Sequence, residues 1–104
     1  MAKRRLGHTP LALITGGSSG MGLEYSRQLA AAGCNLLIVS IEEEKLKALE
    51  IELHEEYGVS VRTRFCDLST FDAADDLFGW CKAEGLDVDI LINNAGIFFF
   101  KELS

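Results

Sequence analysis

The sequence predicts an α/β fold in which helices flank a parallel sheet, and three observations support this prediction. Short apolar runs alternate along the chain with segments of helical periodicity, an order typical of parallel strands joined by right-handed crossovers. The apolar runs are nearly continuous, as in strands that are buried on both faces. A glycine-rich turn follows the first run and leads directly into a helix.

The composition fits one domain and excludes several kinds of partner. The chain has 104 residues, of which 48% are hydrophobic, and a net charge of −6. This acidic balance argues against nucleic acid or an anionic membrane surface as a partner. No apolar run could span a bilayer, and the N-terminus lacks the apolar core of a signal peptide. Cys34, Cys66 and Cys81 lack metal-ligand spacing, so we expect these cysteines to be small buried hydrophobic residues and expect no metal site. We also expect a cytoplasmic protein.

The first strand and helix enclose the most informative stretch. Residues 1–9 are expected to be a flexible lead-in, followed by a strand at 11–15 and a helix from Gly20 to a left-handed cap at Gly33. The connection between this strand and this helix contains Gly16, Gly20 and Gly22. Glycines allow the backbone to approach a phosphate closely, and a helix start offers unpaired N–H groups. The stretch predicts a phosphate cradle, in which Gly22 lets the helix pack closely on the sheet. Taken alone, it could also be an ordinary glycine-rich turn.

A second strand and helix follow in the same order. Residues 35–40 form an apolar run, and residues 42–57 carry leucines at three- and four-residue steps before Gly58, which is expected to end the helix. The third strand, 61–66, alternates and carries Arg62 and Arg64. Charges of this kind discourage edge-to-edge pairing, so the pattern indicates a strand near the sheet edge.

The last two elements complete the alternation. Ser69 and Asp72 have the spacing of a capping box, which predicts a helix over about 71–84, with Trp80 in the core or an interface. A fourth strand is expected at 89–93. The glycine turn marks the point where the winding should reverse, which gives the strand order 3-2-1-4 and a ligand across the carboxyl ends of the strands.

Three motifs in this order resemble the short-chain dehydrogenase/reductase family over residues 10–104. They are the glycine stretch 15–22, Asp67 after the third strand, and 93–96, which read Asn-Asn-Ala-Gly, after the fourth. The resemblance implies a Rossmann-like fold and an NAD(P)-binding half-domain at 10–104. It also implies that the parent protein is an oxidoreductase that transfers hydride between NAD(P)(H) and an alcohol or carbonyl substrate.

The resemblance also implies residue roles. The loop around the pyrophosphate and adenosine ribose is matched by Gly16, Ser18, Ser19, Gly20, Met21 and Gly22. Asp67 matches the acid that holds the adenine amino group, and Leu68 its apolar neighbour. The ribose and nicotinamide side is matched by Asn94, Ala95 and Gly96, while Asn93 has a structural role between strands. For Asp67 the chemistry agrees, since a carboxylate accepts hydrogen bonds from an amino group, although a turn residue is the alternative.

The phosphate form of the cofactor is left open by the sequence. An acid at the end of the second strand can accept from the ribose 2′-OH, whereas a nearby arginine suits a 2′-phosphate. This chain has Ser40 and Ile41 at that place, and Ser40 could bond either form. Glu42 and its neighbours would repel a phosphate if they point inward.

The catalytic half implied by the resemblance is missing from the chain. The family motif is Tyr-x-x-x-Lys with an upstream serine, but Tyr25 is followed by Leu29 and Tyr57 by Val61. The catalytic positions would fall beyond Ser104, so we expect a sheet truncated after the fourth strand and a chain that is itself inactive. The apolar residues 97–100 would then be exposed, and a homo-oligomer is expected.

A non-catalytic module that binds dinucleotide or pairs with full-length subunits is the alternative to an enzyme part. A nucleotide-sugar epimerase-like domain usually has the spacing Gly-x-x-Gly-x-x-Gly, which this glycine stretch does not fit.

Overall fold

A computed structural model describes residues 9–70 and 72–94, in which four strands alternate with three helices. The predicted lead-in up to residue 8, and the predicted features at Phe71 and at 95–104, lie outside the described residues. The elements, in chain order, are β1 (Leu11–Thr15), α1 (Gly20–Ala31), β2 (Asn35–Ser40), α2 (Glu43–Tyr57), β3 (Val61–Phe65), α3 (Ala73–Ala83) and β4 (Ile90–Asn93).

The four strands form one parallel sheet in the order β3-β2-β1-β4, as the sequence predicts. Thr15 of β1 is level with Val39 of β2 and Asn93 of β4. Ser40 of β2 is level with Phe65 of β3. The winding reverses after β1, so the carboxyl ends of β1, β2 and β4 meet where the glycine-rich turn begins.

Two apolar clusters cover the two faces of the sheet. One joins Ile14 and Ile38 to the inner sides of α1 and α2, including Ala30 and Leu53. The other joins alternate strand residues to α3 and contains the following buried side chains: Leu11, Leu13, Leu37, Val39, Leu68, Ala73, Ala74, Leu77 and Cys81. Every residue of β1 is buried. The nearly continuous apolar runs are therefore strands with a core on each side, as expected.

Glycines end the elements where the sequence predicts. Gly58 has a left-handed backbone (φ 71°) and its N–H donates to the carbonyl of His54, which closes α2. Gly33 (φ 96°) follows α1 in the turn to β2. In both positions an L side chain would be strained, so glycine fixes the end of the helix.

The predicted capping box at Ser69 and Asp72 is wrong. The Ser69 hydroxyl donates to the Asp67 carboxylate at 2.6 Å, and α3 begins only at Ala73, after Asp72, whose side chain makes no capping hydrogen bond. Asp67 Oδ1 accepts both the hydroxyl and the backbone N–H of Ser69, which places Ser69 in a local turn before the helix.

The third strand lies at the edge of the sheet, as its arginines predict. The guanidinium carbon of Arg64 is 4.3 Å from the centre of the Trp80 ring, and that of Arg62 is 5.2 Å away. Arg62 also pairs with Glu84 at 2.8 Å. Trp80 is half-buried and packs against the α3-side cluster, so it joins helix α3 to the edge strand.

Candidate functional site

The glycine-rich loop turns immediately after β1. Gly16 (φ 65°) adopts a left-handed backbone, and its N–H donates to the carbonyl of Val39 in the neighbouring strand at 2.7 Å. Gly20 (φ 56°) adopts the same conformation at the first position of α1. The loop is therefore held against β2 at its start and redirected into the helix at its end.

The loop and the helix approach each other most closely at Gly22. A Cβ atom at this position would lie 2.0 Å from the carbonyl oxygen of Gly16 and 2.8 Å from Nδ2 of Asn94. A Cβ at Gly17 would lie 2.8 Å from Cγ2 of Ile38. The close approach predicted at Gly22 is present, but its partners are the backbone of its own loop and the Asn94 side chain, and not the sheet as predicted.

The start of α1 is open and carries no compensating acid. A Cβ at Gly20 would meet no atom within 4 Å, and Met21 is 65% exposed. The first intrahelical hydrogen bond runs from Leu23 to Ser19, so the N–H groups before it have no acceptor within the helix. The first turns of α2 and α3 contain acidic residues, but that of α1 contains none. This helix end can accept an anion.

Two hydroxyls that sequence reasoning missed hold the loop in place. Ser26 is fully buried, and its hydroxyl lies 2.9 Å from the carbonyl oxygen of Gly22 and 3.4 Å from that of Gly17. Thr15 is also fully buried, and its Oγ1 accepts the N–H of Asn94 at 2.9 Å. Ser26 follows Gly22 by four residues, a spacing at which serine bonds the preceding helical turn.

The end of β4 is joined to the loop by asparagines. Oδ1 of Asn93 lies 3.3 Å from Oγ1 of Thr15, in agreement with the structural role that the resemblance implies. Nδ2 of Asn94 donates to the carbonyl of Gly16 at 3.4 Å. Of the predicted site residues on this segment, Asn94 lies beside the glycine loop, while Ala95 and Gly96 fall outside the described residues.

A polar cluster joins the loop to the end of β2. Ser18 and Ser40 are both buried, with their hydroxyl oxygens 2.7 Å apart. The Ser18 hydroxyl donates to Oε1 of Glu42 at 2.6 Å. This bond, and next the one from Lys45 to the same carboxyl group, hold the pKa of Glu42 below its usual range. Glu42 therefore points inward, toward the glycine loop.

Asp67 lies apart from this cluster, in the connection after β3. Its Oδ1 accepts the hydroxyl and the backbone N–H of Ser69, and these bonds lower the pKa of the Asp67 carboxyl. The carboxylate is exposed. Leu68 is buried in the α3-side cluster, so its side chain supports the connection from beneath. The structure thus brings together the residues after β1, β2 and β4, whereas Asp67 hydrogen-bonds within its own turn.

Other reactive groups in the described ranges are occupied or buried. Burial raises the pKa of all three thiols; Cys34 and Cys81 are buried as expected, and Cys66 is half-buried. The exposed His54 pairs its Nδ1 with the carbonyl of Val59. Within residues 9–70 and 72–94 no group of histidine, cysteine and acidic side chains could hold a metal ion, and no helix has the length and apolar character to cross a membrane.

Comparison with known proteins gives a consistent result. The sequence model of the family described as short chain dehydrogenase matches residues 10–104. A very-long-chain 3-oxoacyl-CoA reductase from Pyrenophora tritici-repentis is 43% identical over 88 residues, which cover 83% of this chain and 26% of that protein. A fatty acyl-CoA reductase from Acinetobacter baylyi is 41% identical over 86 residues, which cover 83% of this chain and 29% of that protein.

Solved structures show the same architecture. A short-chain dehydrogenase from Sphingobium yanoikuyae in complex with NADPH superposes with a TM-score of 0.75 and 35% identity, and the match covers 85% of this chain and 34% of that one. The expected Rossmann-like fold is confirmed. The chain spans about a quarter of the length of the curated relatives and about a third of that solved structure.

Proposed function

Since this chain belongs to the short-chain dehydrogenase family, we propose that residues 10–104 form the cofactor-binding part of an oxidoreductase that transfers hydride between NAD(P)(H) and an alcohol or carbonyl substrate. The nicotinamide ring of the cofactor supplies or accepts the hydride. The residues of this chain bind and orient the dinucleotide.

The observation that carries the proposal is the cradle between Gly16 and Gly22. The backbone there is packed too closely for any side chain at Gly22, while the space above Gly20 is open. A pyrophosphate needs N–H donors and a backbone that carries no bulky side chains. A close-packed glycine loop beside an open helix end meets both needs. The cradle therefore fits the cofactor of the family.

Each predicted site residue receives a role within this proposal. The pyrophosphate and adenosine ribose are held by the loop residues Gly16, Ser18, Ser19, Gly20, Met21 and Gly22, with Ser40 at the end of β2. Asp67 receives the adenine amino group, with Leu68 beneath it. The ribose and nicotinamide side is lined by Asn94, Ala95 and Gly96. A carboxylate with a lowered pKa, such as that of Asp67, remains an acceptor at neutral pH.

The proton chemistry is placed in the rest of the proposed longer protein. These 104 residues contain no Tyr-x-x-x-Lys. The relatives are several times longer, and two of them are named for reduction of acyl-CoA compounds, which fits a carbonyl substrate. We further propose a homo-oligomer, because the apolar run 97–100 is of the kind that is covered in an interface.

The test places a charge in the open space above Gly20. Asparagine and aspartate both tolerate a left-handed backbone and have nearly the same size, so Gly20→Asn is the matched control for Gly20→Asp. We expect Gly20→Asp to weaken dinucleotide binding at least about tenfold more than Gly20→Asn, since like-charge contacts cost several kcal/mol. Titration of cofactor fluorescence with the purified protein measures both. Equal affinities of the two variants would contradict the assignment of the loop.

A further inference from the structure

The contacts among Ser18, Ser40 and Glu42 define a directed chain of hydrogen bonds, here called the Ser–Ser–Glu cluster. The carboxylate of Glu42 can only accept, so the Ser18 hydroxyl proton points to it. Ser18 must then accept from Ser40, and Ser40 accepts the backbone N–H of Glu42 at 3.0 Å. The Ser40 hydroxyl proton is therefore donated to Ser18, and the Ser18 hydroxyl proton to the carboxylate.

The cluster is firmly positioned. Ser18 is 4% exposed and Ser40 is 7% exposed, and both lie at the junction of the glycine loop with the carboxyl end of β2. Oε2 of Glu42 is held by Lys45 at 2.9 Å, within the first turn of α2. Glu42 is thus bonded to the glycine loop through Oε1 and to helix α2 through Oε2. What the cluster offers to a ligand is a carboxylate, because both hydroxyl protons are already used.

No guanidinium in the described ranges offsets this acid. Arg27 pairs with Glu52 at 2.8 Å, while Arg62 and Arg64 lie over Trp80. The position directly after β2 holds Ile41, whose exposed side chain carries no charge. A second phosphate would therefore approach the Glu42 carboxylate without the arginine that commonly receives one.

We propose that Glu42 selects the form of the cofactor, and that this protein binds NAD(H) in preference to NADP(H). An acid about twenty residues beyond the glycine loop accepts from the ribose 2′-OH in dinucleotide-binding folds, and Glu42 lies 22 residues after Gly20. The carboxylate accepts that hydroxyl and repels a 2′-phosphate. The selection rests on the proposed function, and it differs from the NADPH found in the Sphingobium yanoikuyae structure.

The experiment compares the dissociation constants of NADH and NADPH for the purified protein and two variants. Glu42→Gln removes the charge that faces the loop, whereas Glu43→Gln removes the same charge from an exposed position one residue along α2. We expect the unmodified protein to bind NADH about tenfold or more tighter than NADPH. Glu42→Gln should reduce this ratio about tenfold, chiefly by tightening NADPH binding, and Glu43→Gln should leave it unchanged.

The outcomes separate the inference from the function on which it rests. Circular dichroism first establishes that each protein is folded. If the unmodified protein binds NADPH as tightly as NADH, the inference is wrong while the proposed function stands. If Glu43→Gln shifts the ratio as much as Glu42→Gln, the selection comes from general charge and not from the cluster. If the folded protein binds neither dinucleotide, the proposed function fails and the inference with it.

Discussion

At the scale of single residues, Gly22 inside α1 and Gly79 inside α3 differ in the space around them. Gly22 is buried against the carbonyl of Gly16, and a Cβ would overlap that oxygen at 2.0 Å. Gly79 is exposed, and a Cβ there would meet no atom within 4 Å. Helix propensity alone treats them alike, because replacing either by alanine should favour the helix by about 1 kcal/mol.

Alanine substitution should therefore separate the two positions. We expect Gly22→Ala to lower the free energy of unfolding by about 1–3 kcal/mol, because the loop must shift to admit the methyl group. Gly79→Ala should raise it by up to about 1 kcal/mol. Urea denaturation followed by circular dichroism measures both. A stabilising effect of Gly22→Ala would show that the loop yields easily and that the cradle is not rigid.

At the scale of secondary-structure elements, much of the fold could be predicted because its boundaries are local. Glycines with positive φ, such as Gly33 and Gly58, end helices by their own backbone preference, and buried strands are recognisable as apolar runs. The predicted capping box is wrong because residue spacing alone does not reveal that Ser69 lies in a turn formed with Asp67. Helix α3 begins at Ala73, four residues after the serine that was expected to cap it.

The site was predicted only in part, and again the reason is distance along the chain. The glycine loop is contiguous, so its role follows from its own residues. The bond from Ser18 to Glu42 joins residues that are 24 apart in the chain. It depends on the rotamer of Glu42, and the sequence does not show whether this side chain points inward. From the sequence, Ser26 is an ordinary polar residue of a helix. Its contact with the loop depends on the rotation of α1 about its axis, which only the structure shows.

The contact of α3 with β3 gives a prediction at this scale. Arg64 lies over the Trp80 ring, and a half-buried cation–π contact of this kind contributes about 0.5–1 kcal/mol. A double-mutant cycle with Arg64→Gln and Trp80→Leu should return a coupling of that size in urea denaturation. Arg27 lies on α1, across the sheet, so Arg27→Gln combined with Trp80→Leu should be additive within about 0.3–0.5 kcal/mol. If the Arg64 cycle is additive as well, the contact between Arg64 and Trp80 does not contribute to stability.

At the scale of the whole molecule, the central strands belong to both cores at once. Leu37 and Ile38 are adjacent in β2, fully buried, and face opposite sides of the sheet. Loss of packing on one face of the sheet should therefore destabilise the core on the other face as well. Trp80, the single tryptophan, reports on the α3 side.

We expect Ile38→Ala to lower the free energy of unfolding by about 2–5 kcal/mol. Because the strand is shared, the melting transition seen by Trp80 fluorescence should fall together with the one seen by circular dichroism. Ile51→Ala, at a 62% exposed position on α2, should change the free energy by less than about 0.5 kcal/mol. A Trp80 transition that stays in place while the circular dichroism transition falls would mean that the two faces unfold separately.

The bonds from Asn94 to the β1 end have a consequence for the order of synthesis. Asn94 reaches Thr15 across 79 positions of the chain, and it also contacts the carbonyl of Gly16. A ribosome releases the glycine loop early and this asparagine late. The growing polypeptide can form β1, α1 and β2 while its anion cradle still lacks one wall. Under the proposed function, we therefore expect the dinucleotide to bind only after the fourth strand has formed.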